Sequence, residues 1–373
     1  MKKRKKLIGA IISIIIVLAL IAGAVYLIAN RDLTANGGFD SFIQNIFHKN
    51  KSGNESIYFD VYSESTFATL TDSLAVASDA GISVFNSSGE RTATYNTQLR
   101  SPHIASGKRS ALVWVSGSEE AYLAQLDSIT PIKADGPIIG AKMNSEGMFV
   151  ICAEDSGYKA AATVYDAEGM AVYKWYSGEG YLVDAAISEN GQRLIVSTLT
   201  DTGARLVSFS LDNETPKGEY SENGALYLET AFLSDSRLCA LSEESLRVFS
   251  FSLSSPEVYD FSGEYLKNYS FEGSGFAALL LGKHRSGNAA RLVTVGTDGR
   301  EIASVELDKE VLSVTSAGGY IGVAFADNSV TVYNDKLAVV TERSELIGLR
   351  SLYVRSDGTA VVVTTTEAFS IGG

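Results

Sequence analysis

Asn144-Ser145-Glu146-Gly147, Val164-Tyr165-Asp166-Ala167-Glu168-Gly169 and Ser188-Glu189-Asn190-Gly191 decide the fold. The first and last are one kind of turn, a polar cluster closed by Gly between two apolar runs. The same turn returns at Thr71-Asp72-Ser73, Ser106-Gly107-Lys108, Ser234-Asp235-Ser236, Glu272-Gly273-Ser274-Gly275, Ser316-Ala317-Gly318-Gly319 and Ser356-Asp357-Gly358. The spacing is roughly 35 to 46 residues, the range of a propeller blade of four strands. The middle stretch is a second kind of turn, repeated at Asn86-Ser87-Ser88-Gly89, Asp212-Asn213, Thr297-Asp298-Gly299 and Asn334-Asp335. These read as hairpin turns, where Gly or Asn supplies the positive φ.

Between the turns lie short runs of Val, Ile, Leu, Tyr, Phe and Thr, the strand signature, and no long amphipathic helix follows Ile57. Units begin near Thr66, Pro102, Ile138, Tyr181, Leu226, Leu266, Glu310 and Leu349. The last has three strands of its own, Ser351 to Arg355, Ala360 to Thr366 and Ala368 to Ile371. Its missing outer strand comes from Ile57-Tyr58-Phe59-Asp60-Val61-Tyr62, which joins the two termini in one blade and removes a sheet edge. The expectation is an all-β propeller over residues 57–373, eight-bladed by preference and seven-bladed if one early unit is irregular. No blade can bury both its faces alone, so the core belongs between neighbours.

Asn144 through Trp175-Tyr176-Ser177, continued by Val183-Asp184-Ala185-Ala186-Ile187-Ser188-Glu189-Asn190-Gly191, resembles an uncharacterised family of bacterial single-pass, propeller-like proteins. The basic start, apolar stretch, short linker and β repeats carry that resemblance over essentially the whole chain. It implies a bacterial envelope protein and no activity. The repeats are WD40-like. Against the docking motif of quinoprotein propellers, Asp166, Gly169 and Trp175 make one loose match without its Thr, so no quinone and no other cofactor is expected. Kinship to cofactor-free relatives of that group is an analogy of fold.

Leu7 to Ile28 is uncharged and apolar, long enough as a helix to cross a bilayer core of about 30 Å. Lys2-Lys3-Arg4-Lys5-Lys6 precedes it and favours a cytoplasmic N-terminus in residues 1–6. Ala22-Gly23-Ala24 resembles a signal-peptide cleavage site, but the apolar run continues through Val25-Tyr26-Leu27-Ile28, which favours an uncleaved anchor. Either reading exports the rest. Residues 29–56 form a linker. In it Phe39, Phe42, Ile43, Ile46 and Phe47 recur at helical spacing, suiting a helix on the membrane surface or one on the base of the domain.

Formal net charge is −13, and the basic cluster at the N-terminus leaves the exported part more acidic still. That argues against nucleic acid and anionic lipid surfaces as partners of the domain, and acidity also keeps an exported domain soluble. Cys152 and Cys239 sit in apolar runs in non-adjacent units, so both are expected as buried free thiols. His48, His103 and His284 are scattered and show no metal-ligand spacing. No nucleophile elbow or phosphate loop occurs. Distant carboxylates meeting in a central channel are the one enzymatic route left open.

In a propeller the loops joining second and third strands share a face with the joints between blades. Three such loops read as long, Glu154 to Lys159, Thr200 to Gly203 and Lys283 to Asn288, and the joint Trp175 to Tyr181 is aromatic. Trp175, Tyr176, Tyr181, Tyr158, Lys159, His284 and Arg285 are the candidate binding residues, because aromatic and basic side chains on loops anchor interfaces. Trp175 and Tyr181 equally suit packing between blades. Trp114 reads as core. The expected function is a membrane-anchored, non-catalytic module that binds or scaffolds an envelope protein, peptide or glycan. A hydrolase or lyase acting in the channel is the alternative.

Overall fold

Residues 56–59, 65–71 and 73–372 are described by a computed structural model. The basic tail, the apolar stretch 7–28 and the linker up to residue 55 lie outside them. By its contacts the chain divides into two units, Met1–Gly53 with Tyr58–Asp60, and Asn54–Ile57 with Val61–Gly373. The second carries the repeats.

The described residues fold as eight antiparallel sheets of four strands. Blades 1 to 7 span 66–96, 103–133, 138–177, 181–223, 229–260, 265–307 and 311–343, each with its strands in sequence order. Blade 8 is built from Ser351–Val354, Ala360–Val363 and Glu367–Ile371, with Ile57–Tyr58 as the fourth strand. The protein is an eight-bladed β-propeller, and the seven-bladed option falls away. Among the described residues the closing strand covers Ile57–Tyr58, and residues 60–62 of the expected strand lie outside them. The strand expected to reach Thr366 stops at Val363, because Thr364 turns back to bond the Glu367 carbonyl through both its N–H and its hydroxyl.

Burial explains why these sequences make these strands. Second strands are the most buried, and Ser73–Ser78, Ser110–Trp114 and Phe276–Gly282 are buried throughout. They carry apolar residues on both faces because a blade lies on either side. Outer strands alternate: Gly218–Asn223 exposes every second residue. The period of two divides one strand between two cores. Phe149 and Ile151 pack toward blade 2 with Leu112, Leu123 and Ile138, while Val150 and Cys152 pack toward blade 4 with Leu194, Val196 and Phe209. Seven such clusters join blades 1–2 through 7–8 in turn. Each buried Leu or Phe contributes about 2 kcal/mol of transfer free energy, so the ring is held by its seams. Cys152 and Cys239 lie in different seams, buried and free. Trp114 is buried, stacked 5.5 Å from His103.

The repeated first turns do more than reverse the chain; they touch one another around one face. Thr71 bonds the Lys108 carbonyl, and the Lys108 N–H bonds the Ser145 carbonyl. Asn144 Nδ2 donates to the Ser188 carbonyl at 2.9 Å, and the Asn190 N–H to Asp235 Oδ1 at 2.9 Å. Gly275 bonds back to Leu233, and Ser274 forward to Gly318. The blade-to-blade spacing read in the sequence is thus a chain of hydrogen bonds on this turn face.

Candidate functional site

The opposite face carries the blade joints and the loops between second and third strands. Large exposed apolar side chains gather there. Ile139, Tyr181, Leu226, Leu228, Tyr265, Leu312 and Ile347 stand at or beside joints, and Tyr158 and Tyr176 flank the first of the expected loops. The remaining exposed apolar residues, such as Met170, Val172, Val258 and Val339, belong to outer strands and their turns.

Two of the three loops expected to be long are tight. Asp155 pairs directly with Tyr158, and Gly157 turns the chain at φ +110°. Leu199 pairs with Ala204, leaving a short turn closed by Thr200. Only 283–289 is an extended loop, exposed throughout. The second and third strands of blades 3 and 4 stay paired up to the turn, so the ladder continues where polar sequence reads as loop.

The tight turn of blade 3 brings four of the candidate residues together. Tyr158 and Tyr176 lie ring to ring at 4.5 Å, tilted by 32°. Lys159 Nζ stands 4.7 Å over the Tyr181 ring, and Lys174 Nζ 4.7 Å over the Tyr176 ring. Lys174 is held by Asp135 and Asp155, each at 2.9 Å, and burial opposed by these carboxylates leaves its ammonium above the ordinary lysine range. Tyr181 is 67% exposed, which places it at the solvent end of the group. Trp175 is different. It is half-buried, 6.1 Å from Phe209, in the seam of blades 3 and 4. His284 and Arg285 belong to the exposed loop of blade 6, where Arg285 stands 5.9 Å over Tyr265. Beneath that loop an open pocket of about 310 Å³ is lined by Lys267, Asn268, Leu280, Glu310 and Leu312, among others.

The next joint is built as a rigid display. Tyr227 is fully buried between Leu226, 44% exposed, and Leu228, 41% exposed. Its hydroxyl donates to Glu222 Oε2 at 2.6 Å. Arg247 pairs with the other Glu222 oxygen and lies over the Tyr227 ring. Burial, then the Glu222 bond, pushes the Tyr227 phenol far above its usual range, so it stays a donor.

Sequence reading missed a charged network on the innermost strands of blades 3 to 6. Lys142 Nζ reaches Asp184 Oδ2 at 2.6 Å, Glu229 Oε1 at 3.0 Å and the Thr230 carbonyl at 2.7 Å. Asp184 Oδ2 also accepts from the Thr230 N–H and hydroxyl, and Tyr269 OH donates to Glu229 Oε2 at 2.6 Å. Burial pulls the Lys142 ammonium down, but Asp184 and Glu229 together hold it well above 10.5. Burial pushes the Asp184 carboxyl up, against the pull of Lys142. The same burial pushes the neighbouring Cys239 thiol up to about 12, leaving it inert at neutral pH. The available signal was lone charges of opposite sign inside apolar strands one blade apart. Chemically the group is closed: an ammonium has three N–H bonds, and all three are used. Among the described residues, no group of three His, Cys, Asp or Glu side chains is placed to hold a metal ion.

The sequence pattern of the Family of unknown function (DUF5711) matches residues 47–367. No curated protein matches the chain. Among solved structures, Sqt1 of Saccharomyces cerevisiae is similar with a TM-score of 0.61 at 12% identity, over 86% of this chain and 100% of that one. The C-terminal WD40 domain of Sif2 is similar at 0.58 and 12%, over 86% and 100%. BamB from Moraxella catarrhalis is similar at 0.54 and 14%, over 85% and 96%. At such identity the likeness is one of fold alone.

Proposed function

The chain belongs to the Family of unknown function (DUF5711), and on that premise we propose that it is a non-catalytic docking module, a bacterial propeller anchored by residues 7–28 and exposed outside the cytoplasm. The observation that carries the reading is the joint face of blades 3 to 5, where Tyr158, Tyr176, Tyr181, Leu226 and Leu228 remain exposed at strand ends and in the joint between blades 4 and 5. Scattered exposed apolar residues are ordinary, but a group on one face is the mark of an interaction surface. The channel network supports a binding role over catalysis. A general acid or base needs a proton free to move toward a substrate, whereas Lys142 spends its protons on Asp184, Glu229 and a backbone carbonyl.

The experiment is crosslinking in intact cells of the full-length chain tagged at its C-terminus, followed by gentle solubilisation and purification. A Tyr176→Ala, Tyr181→Ala variant runs beside it. A stoichiometric envelope partner lost in the variant is expected. A partner retained in the variant removes the face from the reading, and hydrolysis of a cell-wall glycan or peptide by the purified chain overturns the reading itself. Protease added to spheroplasts is expected to remove the tag, which tests the exported placement.

A further inference from the structure

The chemistry of the partner follows from the loops that surround these apolar residues. Glu154, Glu179, Asp201, Glu243 and Glu244 are exposed beside them on blades 3 to 5. The two lysines of the group are engaged within it, Lys159 over Tyr181 and Lys174 between Asp135 and Asp155. A surface of apolar anchors set among carboxylates, on a chain of net charge −13, attracts cations and repels anions. The anchors are preorganised. Buried Tyr227, fastened by Glu222 and Arg247, fixes Leu226 and Leu228 on either side, and the Ser177 hydroxyl closes the Tyr176–Tyr181 joint on the Gly180 carbonyl at 2.9 Å. Little conformational freedom is then lost on docking. The Ser56 carbonyl lies 3.1 Å from the place of a Cβ on Gly89, in the turn between the third and fourth strands of blade 1. Ser56 therefore lies on the turn face.

We propose that the joint face of blades 3 to 5 docks a cationic amphipathic segment of another protein, with apolar side chains set against Tyr181, Leu226 and Leu228 and basic side chains against Glu179, Asp201, Glu243 and Glu244. The proposal rests on the docking reading above and adds the charge and polarity of the occupant.

The test uses the full-length purified chain and three short synthetic peptides, one alternating lysine and leucine, one alternating lysine and serine, one alternating glutamate and leucine, titrated by fluorescence anisotropy at low and physiological salt. The lysine–leucine peptide is expected to bind at least about tenfold more tightly than either control, with affinity falling as salt rises. Leu226→Ser with Leu228→Ser is expected to weaken it about tenfold, and Glu243→Gln with Glu244→Gln to flatten its salt dependence. Glu146→Gln, on the turn face, serves as the control for general acidity and is expected to change nothing. Equal binding of the glutamate–leucine peptide, or a Glu146→Gln effect as large as that of the joint-face changes, overturns the proposal. So does sedimentation of the free chain as a dimer that the leucine changes dissociate, because the occupant is then a second copy. Binding of chito-oligosaccharide lost on Tyr181→Ala overturns it in favour of a glycan. A crosslinked envelope partner whose contact segment is acidic overturns this chemistry while leaving the docking module standing.

Discussion

The channel wall and the joint face use the same residue types to opposite ends. Lys142, Asp184, Glu229 and Tyr269 on the wall, and Lys159, Glu154, Tyr158 and Tyr181 on the joint face, are both sets of lysine, carboxylate and phenol. On the wall every ammonium proton meets an acceptor and the group joins blades 3 to 6. On the face the rings stay open to solvent. Composition alone separates neither from the other. What separates them is whether the hydrogen-bonding capacity is spent inside the molecule. A spent cluster stabilises; an open one remains available for a partner.

The comparison breaks first at Lys142. Lys142→Met leaves Asp184 and Glu229 largely buried without their counter-ion, and a loss of about 3 kcal/mol is expected from urea unfolding. A loss under about 1 kcal/mol would mean that the wall is not held by charge. The same wall sets an alkaline limit. The Lys142 ammonium is held above its ordinary 10.5, and burial with Glu229 holds the Tyr269 phenol above its ordinary 10.0. In both cases the folded state binds its proton more tightly, so the contribution is complete below about pH 10 and is lost as pH rises beyond it. Thermal melts should be level from neutrality to that point and fall steeply above it, and Lys142→Met should blunt the fall.

The turn face gives a smaller effect. Asn144 donates to Ser188 and accepts from the Met148 N–H, both at 2.9 Å, so it closes its own turn and ties it to the next blade. Asn144→Ala is expected to cost about 1 to 2 kcal/mol by calorimetry or urea unfolding. The smallest effect belongs to the joint face. Tyr181→Ala is expected to change stability by no more than about 0.5 kcal/mol, since the ring is mostly in water already. A larger loss would move Tyr181 from the open class to the spent one.

Much of this architecture is legible in the order of residues. The first turns mark the blades because each must reverse the chain in a few residues, and Gly, Asn, Asp and Ser do that by local geometry. The joint aromatic residues are legible for a similar reason, as large side chains placed next to glycines. The length of the loops is not legible. Ser156-Gly157 and Asp201-Thr202 read as the middle of long polar loops, yet ladder pairing reaches Asp155, Tyr158, Leu199 and Ala204. Polar side chains at a strand end look the same in sequence as polar side chains in a loop, and pairing partners decide between them. Trp175 and Tyr181, one joint apart, divide in the same way: Phe209 of the next blade takes the first, and the second stays 67% exposed.

By itself the sequence determined the repeat, the number of blades favoured, the closure of the last blade by the strand near Ile57, and the free cysteines. These follow from local rules, from the alternation of apolar residues and the chemistry of turns, which act over a few neighbours. Tertiary structure alone decided which charges meet. Lys142 and Asp184 stand 42 residues apart, and Tyr269 and Glu229 stand 40 apart. Only the circular arrangement of innermost strands brings them within hydrogen-bond reach. The ring closes distances that the chain does not, and it thereby sorts one set of lysines, carboxylates and tyrosines into a lock and leaves the other as a surface.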